Sequence, residues 1–118
     1  MLNVMVYPTC STCKQAVKWF EEKGIVFKQR HLVDKPLDAT ELKEIHVKSG
    51  LPLKKFFNTS GMKYRELGLK DRLAHMTDDE CYEVLASDGM LVKRPLVYHE
   101  DGRVTLGFKV DMYAEVWK

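Results

Sequence analysis

The sequence predicts one α/β domain over residues 1–118, a four-stranded mixed sheet with a helical insertion at about residues 39–88 between a βαβ half and a ββα half. Three observations predict it. The first 32 residues read strand, helix, strand, which implies parallel pairing through a right-handed crossover. Two short apolar runs near the end flank Asp101-Gly102, a hairpin turn signal. Between these halves the chain carries helix-capping patterns rather than strand runs. A chain of 118 residues has room for one core and not for two.

Leu2 to Tyr7 is apolar enough for a central strand, with Leu2, Val4 and Val6 on one side and Met5 and Tyr7 on the other. Lys14 to Lys23 reads as an amphipathic helix stopped by Gly24. Ile25 to Leu32 alternates and opens β-branched and aromatic, so it reads as the second strand. Asp38 and Glu41 form a capping box for a helix over Ala39 to Ser49, with Leu42, Ile45 and Val47 as its apolar side. Short helices follow at Leu53 to Phe57, led by Pro52, and at Met62 to Leu67, closed by Gly68, with a further helical turn at Leu69 to His75. Thr77 and Glu80 make a second capping box, starting a helix to about Ser87 with Cys81, Val84 and Leu85 on one face. Leu96 to His99 and Arg103 to Gly107 are the hairpin strands. Val110 to Trp117 closes the chain as a helix presenting Val110, Tyr113, Ala114 and Trp117.

Chemistry concentrates at Tyr7-Pro8-Thr9-Cys10-Ser11-Thr12-Cys13-Lys14, where strand turns into helix. Cys10 falls where the first helical N–H groups lack intrahelical partners, and those donors with the helix dipole favour a thiolate. Cys13 lies one turn on, placed to attack a mixed disulfide at Cys10. Ser11 and Thr12 read as helix caps. A structural zinc site would need two further ligands at suitable spacing; His31, His46, His75 and His99 are scattered and Cys81 stands alone. Cys81 reads as a core residue. No metal and no cofactor is expected.

The net charge of +2 is too small to argue for nucleic acid or a membrane surface, and neither is expected as a partner. No apolar stretch approaches the roughly 20 residues that span a bilayer. No signal peptide is expected, and three cysteines with one close pair suit a reducing, cytoplasmic setting rather than a disulfide scaffold. Residues 52–72 are mildly basic, with Lys54, Lys55, Lys63, Arg65, Lys70 and Arg72 against Glu66 and Asp71. That run reads mainly as a solvated face, the alternative being a surface beside the thiol for an anionic thiol or an acidic protein partner.

The element order is the thioredoxin-like arrangement, and the chain resembles the arsenate reductase (ArsC)–Spx family. The resemblance is carried by Tyr7-Pro8-Thr9-Cys10-Ser11-Thr12-Cys13, Phe57-Asn58-Thr59-Ser60-Gly61, Tyr64-Arg65-Glu66-Leu67-Gly68-Leu69 and Lys93-Arg94-Pro95-Leu96-Val97. It implies that Cys10 is the reactive cysteine, that Arg94 belongs to an anion site, and that Pro95 is a cis proline lying against the redox turn. Asn58, or a close neighbour, stands where the family's reductases carry a second arginine, and Phe108-Lys109 stands where they carry an Arg-Pro. Losing two guanidinium forks removes most bidentate oxyanion recognition, so arsenate is not the expected substrate.

What the resemblance implies is a thiol-dependent reductase or thiol–disulfide oxidoreductase in which Cys10, Cys13 and Arg94 are catalytic and Pro95 and Asn58 position the substrate. Glutathione, glutaredoxin or thioredoxin would be its reductant. The alternative is a redox-sensing regulator of the Spx kind, binding the C-terminal domain of the RNA polymerase α-subunit.

Overall fold

The computed structural model describes all residues from Met1 to Lys118. Strand β1 (Leu2–Val6) runs through the middle of the sheet and divides the apolar residues into two cores. It pairs in parallel with β2 (Phe27–His31) and antiparallel with β3 (Leu96–Tyr98), while β4 (Val104–Leu106) closes the order β2-β1-β3-β4. Because side chains alternate along a strand, Leu2 and Val4 enter one core and Met5 the other. Both faces of β1 are covered, as its uninterrupted apolar character requires.

On one face lie α1 (Ser11–Glu22) and α6 (Val110–Val116). Their core is largely aromatic: Tyr113 packs 5.3 Å from Phe20 and 5.4 Å from Trp19, ring centre to ring centre. Its polar tips are satisfied, since Tyr113 Oη donates to the Gly107 carbonyl at 3.0 Å and Trp117 Nε1 to Thr105 Oγ1 at 2.9 Å. Each such ring contributes about 1.5–3 kcal/mol through burial. The last helix turns a different face inward than its spacing suggested. Tyr113 and Trp117 are buried with Met112 and Val116 beside them, while Val110 and Ala114 face solvent.

The insertion covers the other face. It comprises α2 (Ala39–Ser49), a 3₁₀ turn at Leu53–Phe56, α3 (Met62–Glu66), α4 (Leu69–Arg72), a 3₁₀ turn at Leu73–His75, α5 (Asp78–Ser87) and a 3₁₀ turn at Gly89–Leu91. Both predicted capping boxes form, Asp38 with Glu41 and Thr77 with Glu80. Leu42 and Ile45 of α2 and Cys81, Tyr82 and Leu85 of α5 enter this core, but Val47 is exposed. Between the two helices His46 Nδ1 and Tyr82 Oη lie 2.6 Å apart.

Two elements start more than one residue from where the sequence puts them. Helix α1 begins at Ser11, three residues before Lys14, because Cys10 itself caps it. Strand β2 begins at Phe27 rather than Ile25, because the chain is still closing α1: Gly24 takes a left-handed φ of 69°, Gly24 N–H donates to Glu21 and Ile25 N–H to Phe20. After β2, Arg30 ties the loop to α2, donating to the carbonyls of Lys35 and Pro36 and to both carboxylate oxygens of Glu41. Gly89 lies directly against the Leu32 carbonyl, joining the end of the insertion to the end of β2.

Candidate active site

At the carboxyl end of β1 the chain turns through Tyr7 to Cys10, and Cys10 N–H donates to the Tyr7 carbonyl at 3.0 Å. Cys10 keeps an extended backbone and is the N-cap of α1, its Sγ accepting from Cys13 N–H at 3.3 Å. The expectation that Ser11 or Thr12 caps the helix is therefore corrected. Both lie inside the first turn, and the sulfur takes the place a hydroxyl usually occupies. A cap that accepts from a free helical N–H is better filled by an anion, which links the fold of α1 directly to thiolate formation.

The two thiols respond oppositely. For Cys10, partial burial pushes the value up, but hydrogen bonds from the Cys13 side chain and N–H, with the hydrogen bonding and charge of Arg94, bring it below its ordinary level. Cys13 is pushed up to about 12, first by burial and then by its hydrogen bond to Cys10. A part-exposed thiol shifted toward its anion beside a buried thiol shifted away from it is the division of labour that stepwise disulfide exchange needs.

Arg94 comes from the segment before β3, and its bond to Pro95 is cis, as the resemblance implied. Pro95 is buried. The guanidinium carbon lies 5.3 Å from the centre of the Tyr7 ring, and Nη1 lies 3.8 Å from Met90 Sδ. Tyr7 in turn meets the His31 ring edge-on at 5.7 Å. The Tyr7 ring thus lies between His31 of β2 and the Arg94 guanidinium from the segment before β3.

Asn58 is placed differently from Arg94. Its N–H donates to Leu91 at 2.7 Å, its side chain approaches the Met90 carbonyl at 3.5 Å, and none of its hydrogen bonds reaches the Cys10 turn. Its link to the site runs through Met90, whose sulfur lies against Arg94. Cys81 sits in the insertion core, where burial pushes its thiol up.

Beside Thr12 and Arg94 opens a groove of about 530 Å³ whose rim carries Lys55, Lys93 and Lys109. In the sequence Lys93 stood only as a neighbour of Arg94 in a family motif, and Lys109 only as a departure from a family pattern. The fold brings both to Arg94. Tyr7 as a support for Arg94 was also missed; an aromatic preceding a Cys-x-x-Cys turn is the signal that would have raised it.

Comparison with known proteins places this architecture. A family model described as ArsC matches residues 5–116. The uncharacterized protein YusI of Bacillus subtilis is 57% identical over 112 residues, covering 94% of this chain and 93% of YusI. The global transcriptional regulator Spx of Enterococcus faecalis is 27% identical over 111 residues, covering 94% of this chain and 82% of Spx. The crystal structure of a possible arsenate reductase from Streptococcus mutans superposes with a TM-score of 0.87 at 41% identity, over 93% of this chain and 92% of that one. With its mixed four-stranded thioredoxin-like sheet and its Cys10–Cys13 turn, the chain belongs to the ArsC family.

Proposed function

We propose that this protein is a thiol–disulfide oxidoreductase that uses Cys10 as nucleophile and Cys13 as resolving thiol. The observation that carries the reading is the Cys13 N–H aimed at Cys10 Sγ at 3.3 Å. In the first step the Cys10 thiolate attacks one sulfur of a substrate disulfide. A Cys10–substrate disulfide forms, and the other substrate sulfur leaves as a thiolate that takes a proton from water. Once Cys10 carries no charge, the hydrogen bond that held the proton on Cys13 is lost. Cys13 then attacks Cys10 Sγ, forming the Cys10–Cys13 disulfide, and its proton leaves with the second substrate sulfur, which is released as a thiol. Two electrons have passed to the substrate, and two equivalents of an external thiol (glutathione, or the dithiol of a thioredoxin or glutaredoxin) return them.

In this reading Arg94 supplies positive potential at Cys10, Pro95 holds the segment carrying Arg94, and Asn58 steadies Met90 beneath it. Arsenate suits the site poorly, because Arg94 is its one guanidinium and lysines offer no planar fork. Hydroxyethyl disulfide reduction with glutathione as reductant tests the proposal. Cys10→Ser should abolish turnover with the fold intact. Cys13→Ser should retain the first step and accumulate a mixed disulfide detectable by mass. Undiminished turnover in Cys10→Ser sinks the mechanism.

A second reading has its own support. Since Cys10 Sγ caps α1, oxidation would withdraw that cap and alter the start of the helix. A regulator of the Spx kind would use such a change to gate docking on the C-terminal domain of the RNA polymerase α-subunit. A pull-down with that domain, in reduced and oxidised states, separates the readings; no binding in either state removes the regulator.

A further inference from the structure

The floor of the groove beside Arg94 is the free edge of the sheet. Strand β4 is outermost, and its ladder with β3 fixes which main-chain groups face outward. His99 N–H donates to Arg103 and Gly107 N–H to Pro95, both at 3.0 Å. By the alternation of an antiparallel ladder, Arg103, Thr105 and Gly107 turn their main chain toward β3, whereas Val104 and Leu106 turn theirs to the edge. None of the loop hydrogen bonds reaches the main chain of Val104 or Leu106. The groove has walls from both sides of the sheet, Leu51 and Lys55 from the insertion and Met112 and Val116 from α6, so it runs along this edge.

The two edges of the sheet are treated differently. Strand β2 carries Lys28 and Arg30 on the strand itself, a usual protection against pairing. Strand β4 is Val-Thr-Leu, with no charge and no proline. The charges lie across the groove instead. Lys55, Lys93, Arg94 and Lys109 line it. A second hollow of about 410 Å³ shares Lys55, Lys93 and Leu106 with it and adds Lys54. No carboxylate lines either hollow.

We infer that this edge is a docking site for an extended acidic segment of a partner protein, which adds to the sheet as a strand beside β4. About five residues would lie along the edge, exchanging main-chain hydrogen bonds with Val104 and Leu106. Acidic side chains along the segment meet the lysines around the groove, Lys55, Lys93 and Lys109, and apolar ones meet Leu51, Met112 and Val116. Charge decides the occupant. A second copy of this chain would set lysines against lysines, and a small anion would leave the edge amides of Val104 and Leu106 unused. The site needs neither thiol, so it stands apart from the redox reading. One end of it nevertheless reaches Thr12 and Arg94, so a docked partner would lie beside Cys10.

The test uses the full chain, labelled with nitrogen-15, and an acetylated, amidated pentapeptide alternating glutamate and valine. On binding, the amides of Val104 and Leu106 should shift downfield and exchange with solvent about tenfold more slowly. The double variant Lys55→Glu/Lys109→Glu, at two exposed positions, should weaken binding about tenfold, its fold being verified by the same spectra. On the unaltered protein, methylating the peptide nitrogens that pair with the edge should weaken binding as much, because main-chain pairing is then blocked. The inference is overturned if the Val104 and Leu106 amides do not respond. It is also overturned if a lysine-for-glutamate or N-methylated peptide binds as well as the parent. Citrate reproducing the same shifts and displacing the peptide would make this a small-anion site and overturn it too.

Discussion

The Arg94 guanidinium lies over the face of Tyr7, its central carbon 5.3 Å from the ring centre. The ring belongs to the residue whose carbonyl accepts the Cys10 N–H, so one side chain links the charge to the turn that carries the thiol. Arg94 also hydrogen-bonds Cys10, and its Nη1 lies 3.8 Å from Met90 Sδ, so the Tyr7 ring is the aromatic support of a guanidinium that already reaches the thiol.

From this follows a graded prediction for the Cys10 thiol. Removing the ring with Tyr7→Ala frees Arg94, and the Cys10 pKa should rise toward its ordinary level. A cation–π contact contributes about 0.5–1 kcal/mol, so the rise should be under about one unit. Tyr7→Phe keeps the π face and should leave the value in place, while Arg94→Ala should raise it further than Tyr7→Ala. The pH dependence of iodoacetamide alkylation at Cys10 reads all three. If Tyr7→Phe and Tyr7→Ala behaved alike, the ring would have no part in placing the charge.

Cys13 predicts an alkaline loss of stability. Its thiol ordinarily titrates at 9.0 and is held to about 12 in the folded protein by burial and by Cys10. Below 9 both folded and unfolded chains hold the proton, and the residue contributes no pH dependence. Above 9 the unfolded chain releases its proton first, so stability falls with rising pH until the folded value is reached. Urea unfolding under reducing conditions should therefore give a decline that is shallower in Cys13→Ala by on the order of 1 kcal/mol per pH unit. Cys10 contributes with the opposite sign, since its folded value is lowered and it stabilises the fold as pH rises through that value. Equal alkaline slopes in wild type and Cys13→Ala would mean that Cys13 ionises as readily folded as unfolded.

How far the sequence reached depends on whether a feature is local. Capping boxes at Asp38 and Thr77 are written in four consecutive residues and were legible. So was the turn that aims Cys13 at Cys10, although the cap proved to be the sulfur of Cys10, because hydroxyl residues stood next to it and sequence preference favours them. The inward face of α6 was misread because a helix of only two turns has too few positions to fix its phase, and packing against Phe20 and Trp19 set it instead. The basic groove was not legible. Lys55, Lys93 and Lys109 come from three separate segments and meet only once β4 is placed at the sheet edge.

Gly89 is a packing requirement that looks like a mere helix stop in the sequence. A Cβ built there would lie 2.0 Å from the Leu32 carbonyl oxygen and 2.6 Å from its carbon, both main-chain atoms that cannot turn aside. Gly89→Ala must push the end of the insertion away from β2, and overpacking of this kind costs about 1–3 kcal/mol. Gly50→Ala is the useful contrast: nothing lies within 4 Å of a Cβ there, and its penalty comes from a left-handed φ of 68°. Chemical denaturation should find Gly89→Ala destabilised and its Leu32 amide resonance displaced, with Leu32 undisturbed in Gly50→Ala. A Gly89→Ala variant as stable as wild type would contradict the close approach.

The Arg30–Glu41 pair predicts an acid-side effect and a difference between its two partners. Arg30 Nη1 lies 2.7 Å from Glu41 Oε2 and Nη2 lies 3.1 Å from Oε1, a fork-to-fork geometry. Glu41 is lowered by its hydrogen bond to Arg30, so its contribution is complete above its ordinary 4.5 and is lost as pH falls through the lowered folded value. Both side chains are about one-third exposed, and solvent screening holds the pair to about 1 kcal/mol. Glu41→Gln should lose about that much at neutral pH and unfold with a flatter acid limb. Arg30→Ala should lose more, because Lys35 O and Pro36 O also give up their donor at 2.7 Å each. Those two carbonyls hold the loop between β2 and α2, so the excess should appear as faster amide exchange in that loop, which Glu41→Gln leaves protected. Equal loss in the two variants would assign the whole effect to the ion pair and none to the loop.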